Sequence, residues 1–194
     1  MPPSDVFAYI DSRLRASATV EAATAVVTAH AVRSAGPSEL ESSLSRIERE
    51  WVARTPVLDV RKVSRGLGRG LLRFSRVLFP SADQRRRLDA LPVLPPRAMV
   101  TGTFAALAGI SAHDLVRSVF YDEAMAVVTA YLKLAPADPS TVISGAVQIC
   151  ADHESRIESL VEVRDPRSIP SSSAPLHELW AFQHSRRKQR LYRA

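Results

Sequence analysis

Cys150 and His153 come nearest, in type and spacing, to a catalytic pair in this sequence of 194 residues. Catalysis by a thiolate needs a neighbouring base, and a step of three residues along a helix brings two side chains to one face. Their spacing along a helix is the only sign of a catalytic pair. Neither these residues nor any serine lies in a recognisable nucleophile elbow. We therefore expect no catalytic residues, a protein that is not an enzyme, and a Cys150 that serves as a small buried apolar side chain.

The histidines could carry chemistry as metal ligands. The five of them form no HxxxH or HExxH arrangement, which argues against a tight structural site. His177 and His184 are seven residues apart on a predicted helix and could share a face. Two ligands make at most a transient metal site, with a solvated pair of histidines as the alternative, so no cofactor is expected to stay bound.

The run Gly66-Leu67-Gly68-Arg69-Gly70 shares with a phosphate-binding loop only its glycine content. It has no Lys-Ser or Lys-Thr ending and lies within a helical pattern, so it is not a P-loop. Each glycine inside a helix costs up to about 1 kcal/mol relative to alanine. The three glycines therefore mark either a break in the helix or a surface kept bare for a neighbouring backbone.

Acidic residues cluster on one predicted helix near its arginines, which could suggest a binding face. Neighbouring opposite charges on a helix are most simply surface ion pairs, and we predict that role for them. The residues are Asp152, Glu154, Glu158, Glu162, Arg156 and Arg164.

Basic residues dominate two parts of the chain, whose formal net charge is +6. Residues 54–97 hold eleven basic residues against three acids, and the last thirteen residues hold five basic residues and no acid. Nucleic-acid binding would explain this charge. However, the aromatic content is only 6%, and no zinc-finger, RNA-recognition or helix-turn-helix signature is present, which argues against that partner.

Large apolar residues within the basic C-terminal end favour a protein partner instead. Leu191 and Tyr192 could each contribute about 1.5 to 3 kcal/mol if fully buried in a partner groove. Arg187 and Arg190 would then supply orientation and selectivity more than affinity. We predict that this end is a docking element that orders on binding.

Apolar residues recur with helical period along the whole chain, and no run of strand period is present. Gly36-Pro37 and further prolines separate the helices, and a Ser/Pro linker is predicted near residues 166–175, before a docking helix or tail at 176–194. The expected fold is an all-α bundle of about eight to ten helices in one domain, residues 1–194. The predicted helices cover about 4–14, 19–33, 38–55, 59–79, 84–91, 100–110, 111–133, 141–163 and 177–194.

Two predicted helices have well-defined apolar positions. Residues 38–55 carry Leu40, Leu44, Ile47 and Trp51 on one face, and residues 59–79 carry Leu67, Leu71, Phe74 and Leu78 in register. Residues 100–110 are small and apolar nearly all round, as in a helix enclosed by others.

Membrane insertion and secretion are not indicated by the sequence. No stretch approaches the roughly 20 apolar residues of a membrane helix, and the N-terminus lacks the layout of a signal peptide. The expected location is the cytoplasm.

Four separate blocks in order along the chain resemble the family of the urease accessory protein UreF. The first is the central motif, in which Ser64, Arg65, Gly68, Leu71 and Leu72 follow a Ser-Arg, Gly, Leu-Leu-Arg pattern. The others are Val100 to Ile110, Lys133 to Pro136, and a C-terminal His, Arg, Leu and aromatic pattern, here His184, Arg190, Leu191 and Tyr192. The resemblance covers about residues 7–194 and lacks the segment that usually precedes the first helix in family members.

This resemblance implies a non-enzymatic scaffold that joins UreD (also called UreH), recruits the GTPase UreG and supports GTP-dependent nickel insertion into apo-urease. It also implies a homodimer within that complex, with nickel handled by the complex. Arg190 matches a tail arginine linked with partner recruitment, and Lys133 matches a basic position near a passage between UreF and UreD. The alternatives are an all-helical regulatory or interaction domain that has lost nickel delivery, and a nucleic-acid-binding protein.

Overall fold

The computed structural model describes residues 3–171, and every regular element in that range is helical. The expectation of an all-α fold is confirmed. The elements are α1 (Pro3–Arg13), α2 (Thr19–Ser34), α3 (Pro37–Arg54), α4 (Leu58–Leu78), α5 (Ala82–Asp89), α6 (Arg97–Ala108), α7 (Ala112–Leu134), α8 (Pro139–Asp152), α9 (Glu154–Val161) and a 3-10 turn at Pro166–Ser168. Within these described residues, a helix long and apolar enough to cross a bilayer is absent.

The first two predicted helices are continuous in the structure. A π-helical turn at Leu14–Ala18 joins α1 to α2, and the hydroxyl of Thr19 donates to the carbonyl oxygen of Leu14 at 2.8 Å. Such a turn adds a residue to the helix without ending it. Glu21, near the start of the helix predicted for residues 19–33, therefore lies inside a longer helical segment.

The core is built around α2, which α3, α6, α7 and α9 contact. Its residues between Ala22 and Ala29 are all buried. The hydroxyls of Thr24 and Thr28 each donate to the carbonyl oxygen one turn earlier at 2.7 Å, so polar groups in the core keep partners. The enclosure predicted for residues 100–110 is seen in α6 as far as residue 107, whereas Ala108 and Gly109 are exposed.

The apolar face of α3 is buried as predicted. Leu40, Leu44, Ile47 and Trp51 are each at most 4% exposed. The helix begins one residue earlier than the sequence suggested, because Pro37 occupies its first turn, where a missing backbone N–H costs nothing.

The structure buries a different face of α4 from the one that the large apolar residues indicated. Leu67, Phe74 and Leu78 are 44%, 54% and 48% exposed. The buried positions are instead the small residues Ser64, Gly68 and Ser75, together with Leu72. This helix contacts α6 and α5.

The long helix predicted for residues 141–163 is wrong, because it is broken at His153 into α8 and α9. His153 is 4% exposed, its Nε2 lies 2.9 Å from Asp11 Oδ1, and its ring meets Phe120 edge to face. These contacts with α1 and α7 hold the break in place.

The described part of the predicted linker lies against α3. Arg54 donates to the carbonyl oxygens of Ile169 at 2.5 Å and Arg167 at 2.9 Å, and Ile169 is 2% exposed. The chain is therefore anchored up to that residue.

Candidate functional site

The central motif on α4 lies where this helix crosses the start of α6. A β-carbon built on Gly68 would collide with the carbonyl oxygen of Pro95 and would stand 3.0 Å from the backbone nitrogen of Arg97. Only glycine lets the two backbones come this close. Of the two readings of the glycine run, a bare surface for a neighbouring backbone is therefore confirmed at Gly68, and the helix does not break.

Ser64, one turn before Gly68, serves as a cap for the neighbouring helix. Its hydroxyl accepts a hydrogen bond from the backbone N–H of Arg97, the first residue of α6, at 3.1 Å. The cap position of α6 is Pro96, whose own side chain accepts no hydrogen bond. Ser64 thus satisfies a backbone donor that the α6 sequence leaves without a local partner.

Arg65 joins three parts of the bundle. Its guanidinium pairs with Glu48 of α3 at 2.7 Å, donates to the carbonyl oxygen of Leu94, and lies over the ring of Trp51, 5.6 Å from the ring centroid. A planar guanidinium suits all three contacts at once, which a lysine would not. Of the remaining motif residues, Leu72 is buried and Leu71 is partly buried.

A cluster of charged side chains around the buried Glu123, which we call the ionic cluster, adjoins the motif. Glu123 of α7 is 5% exposed and binds two arginines, Arg13 of α1 at 2.6 Å and Arg97 of α6. Arg97 also pairs with Asp122 at 2.6 Å and lies 3.9 Å from Glu21 of α2. A cation in the first turn of a helix faces an unfavourable dipole, and these carboxylates offset that cost.

Glu123, which is buried, and Glu21, whose side chain is 15% exposed, have pKa values shifted in opposite directions. Burial opposes ionisation of Glu123, but Arg13 and Arg97 outweigh it, and the pKa of Glu123 is lowered. Burial raises the pKa of Glu21, and neither the indole N–H of Trp51, which donates to its Oε1 at 2.8 Å, nor the more distant Arg97 compensates fully. Glu123 therefore supports the fold as an anion, whereas ionised Glu21 costs stability.

A cavity of about 180 Å³ opens beside the ionic cluster, lined by Glu21, Arg97, Thr101, Ser118 and Asp122 among others. The guanidinium of Arg97, which lines this cavity, is already paired with the carboxylates of Asp122 and Glu123. Across residues 3–171, no group of three or more His, Cys, Asp and Glu side chains is arranged to hold a metal ion. The cluster ties α1, α2, α6 and α7 together.

Comparison with known proteins decides the family. A family model for UreF matches residues 2–144, well over half of the chain. The chain belongs to the UreF family. The match contains the whole central motif, the ionic cluster and Lys133.

Three curated relatives, each named urease accessory protein UreF, illustrate the similarity. The protein of Mycobacterium marinum (strain ATCC BAA-535 / M) is 31% identical over 145 residues, 75% of this chain and 64% of the relative. That of Mycobacterium sp. (strain JLS) is 30% identical over 153 residues, 77% and 67% of the two chains. That of Mycolicibacterium vanbaalenii is 28% identical over 187 residues, 95% and 79%. The chain thus spans just under two thirds of the M. marinum UreF.

Lys133 lies in the last turn of α7 and is exposed, next to Leu134, which is 66% exposed. Ten residues of helix, about 15 Å, separate it from Glu123. The structure therefore places Lys133 apart from Glu123 and the ionic cluster around it, and its predicted place near a passage in a UreF complex stays a prediction.

Cys150 and His153 do not form a nucleophile and its base. The ring of His153 is engaged by Asp11 and Phe120. Burial raises the pKa of the Cys150 thiol, which is the opposite of activation.

Of the four acids predicted to form ion pairs along one helix, the structure shows ion pairs for Glu154 and Glu162, and those of Glu154 are with another helix. Glu154 pairs with Arg117 at 2.7 Å and lies 3.0 Å from His113 Nε2, both on α7. Within the segment, Glu162 lies 4.0 Å from Arg164.

The C-terminal predictions fall outside the described residues. They concern the partner-binding residues Arg187, Arg190, Leu191 and Tyr192 and the histidines His177 and His184.

Sequence reasoning missed the ionic cluster. Its partners are far apart in the chain, 110 residues in the case of Arg13 and Glu123. The available signal was a carboxylate between two apolar residues of a helix, which holds for Glu21, between Val20 and Ala22, but not for Glu123, which follows Asp122.

Proposed function

We propose that this protein is a urease accessory protein of the cytoplasm, a non-enzymatic scaffold in urease maturation. In this role it bridges UreD (UreH) and the GTPase UreG and supports GTP-dependent insertion of nickel into apo-urease. Nickel is the cargo of the assembly and not a resident cofactor of this chain. The observation that carries the proposal is the UreF match over residues 2–144.

The C-terminal end is the proposed contact with UreD or UreG. Leu191 and Tyr192 would fill an apolar groove of the partner, and Arg187 and Arg190 would orient the end by charge. Lys133 is the proposed residue at the passage through which the metal moves, and a homodimer is the proposed state of the chain within the complex. His177 and His184 would at most hold nickel transiently.

Deletion of the gene tests the function directly. In a host whose urease depends on its own accessory proteins, deletion should abolish nickel-loaded urease, and the full chain supplied in trans should restore it. The measurements are ureolysis and the nickel content of purified urease. Unchanged nickel loading in the deletion strain would refute the proposal. If loading is unchanged in the deletion strain but the purified chain binds UreD, the interaction-domain alternative replaces it.

Single substitutions test the two proposed contact regions. Arg190→Ala should weaken co-purification with UreD or UreG, whereas Arg186→Ala, a matched basic residue of the same segment, should not. Lys133→Ala should leave assembly intact and slow nickel transfer. Loss of the whole complex with Lys133→Ala would instead make Lys133 a structural residue.

A further inference from the structure

One face of α4 is apolar, exposed and without a covering element in the part of the chain that the structure describes. Its large exposed side chains lie three, four or seven residues apart, the spacing that keeps side chains on one face of a helix. All are more than 40% exposed, a concentration unusual for a surface helix. They are Val60, Val63, Leu67, Phe74 and Leu78, and we call this row the apolar seam.

The apolar seam is distinct from the face that holds α4 in the bundle. Ser64, Gly68 and Leu72 are spaced by four residues and are buried on the side that contacts α6. Leu67 and Phe74 project from another side of the same helix. The helix is therefore fixed by one face while it presents a second to an incoming molecule.

Gly66 and Gly70 form a bare strip beside the apolar seam. A β-carbon built on either would have no atom within 4 Å, so neither glycine is needed for packing inside the protein. Each nevertheless costs the helix up to about 1 kcal/mol relative to alanine. Two small residues four positions apart let another helix approach the α4 backbone closely. Close contact with such a helix would account for the two glycines.

The charge around the apolar seam points to an acidic occupant. α4 contains six basic residues and one acid. Lys62, Arg65 and Arg76 have carboxylate partners, whereas for Arg69 and Arg73 the structure shows no ion pair with another described residue, and both are exposed. Arg69 and Arg73 lie one turn apart, on the far side of the glycine strip from the seam.

The two occupants that this chain itself could supply carry the wrong charge. A second copy would bring another α4 with the same excess of positive charge. Residues 172–194 hold five basic residues and one acid. Like charges across an interface oppose binding, so the electrostatics favour a separate acidic molecule.

We propose that the apolar seam, the Gly66 and Gly70 strip and the pair Arg69 and Arg73 form a docking surface for an acidic amphipathic helix of a partner protein. Apolar residues of that helix cover Leu67 and Phe74, its backbone lies over the glycines, and its carboxylates meet the two arginines. An anionic membrane would also attract a basic amphipathic helix. A lipid surface gains nothing from a bare glycine strip, which favours a helix.

The test rests on the proposed function, because its probes are the purified UreD and UreG homologues of the same organism. Binding of each to the full chain is measured by calorimetry at about 0.1 M salt. We expect one of them to bind, and Leu67→Glu to weaken that binding at least about tenfold. Val147→Glu is the matched control, since Val147 is 46% exposed on α8, and it should change little.

Substitution of the two glycines can separate loss of binding from loss of stability. Gly66→Leu combined with Gly70→Leu should raise the unfolding temperature, because leucine is the better helix former, yet weaken binding at least about tenfold by blocking the approach. Arg69→Glu with Arg73→Glu should weaken binding and flatten its salt dependence, whereas Arg164→Glu should not.

Other outcomes overturn the docking proposal. The proposal is wrong if the variants bind both probes as the unmodified chain does. It is also wrong if the seam and glycine variants alter only self-association in sedimentation, or only binding to vesicles of anionic lipid. In the deletion strain, full rescue of urease by Leu67→Glu would also overturn it while the proposed function stands. Failure of the unmodified chain to rescue would refute the function, and the calorimetry would still decide the docking surface.

Discussion

The hydroxyl of Ser64 on α4 accepts the first backbone N–H of α6, that of Arg97, at 3.1 Å. A residue of the UreF central motif therefore caps a neighbouring helix whose own cap residue is a proline. The motif's buried half is structural: it fixes the crossing of α4 and α6 and sets the direction in which the exposed half of α4 faces.

Ser64→Ala should lower the free energy of unfolding by about 1 kcal/mol, the usual cost of removing a side-chain helix cap. Urea denaturation with an unchanged m-value measures it. Ser42→Ala is the control, since that hydroxyl is exposed and donates only within its own helix, and it should cost clearly less. Equal effects of the two substitutions would contradict the capping role.

Gly68→Ala should destabilise the protein by about 1 to 3 kcal/mol, because the added methyl group meets the Pro95 carbonyl and backbone atoms cannot move aside cheaply. Gly66→Ala and Gly70→Ala should instead stabilise it by up to about 1 kcal/mol each, since their surroundings are open. Thermal unfolding of the three variants separates them. The crossing geometry is refuted if Gly68→Ala is as stable as the other two.

Glu123→Gln should destabilise the protein by about 3 to 5 kcal/mol, because it leaves the guanidinium groups of Arg13 and Arg97 without their buried counter-charge. The pKa of Glu123 is lowered in the folded state, so its stabilisation is present above the ordinary value of 4.5 and is lost as the pH falls through the folded value. The difference in unfolding free energy between the unmodified protein and the variant should therefore become smaller as the pH falls. A deficit that does not change with pH would argue against an ionised Glu123.

Glu21→Gln should leave stability at neutral pH unchanged or raise it. The amide oxygen can still accept the hydrogen bond from Trp51, and the cost of burying a charge disappears. Because the pKa of Glu21 is raised above 4.5 in the folded state, the unmodified protein takes up a proton as the pH falls and loses that cost. If the variant has the higher unfolding free energy at neutral pH, the difference should thus become smaller on acidification. The measurement is the difference in unfolding free energy at neutral and acidic pH, and a widening gap would contradict the burial of an ionised Glu21.

Local sequence signals predicted the helices and several of their ends. The apolar spacing of α3 from Leu40 to Trp51 identified the buried face, and Ser111 was correctly expected to begin α7, where its hydroxyl accepts the N–H of Asp114. These features depend on residues within one or two turns of each other. The break at His153 was not predicted, and the contacts of His153 there are with residues far away in the chain, including Asp11, 142 residues before it.

The sequence by itself determined the all-α class, the approximate helix positions and the resemblance to UreF, because helical period, caps and family motifs are properties of neighbouring residues. Only the tertiary structure decided which face of α4 is buried and which acids meet Arg13 and Arg97. On α4 the large apolar residues predict one buried face, yet Ser64 and Gly68 let the backbone of another helix come closer than Leu67 could. Close approach depends on the surface of the neighbour as much as on the helix itself, and no periodicity within a single helix contains that information.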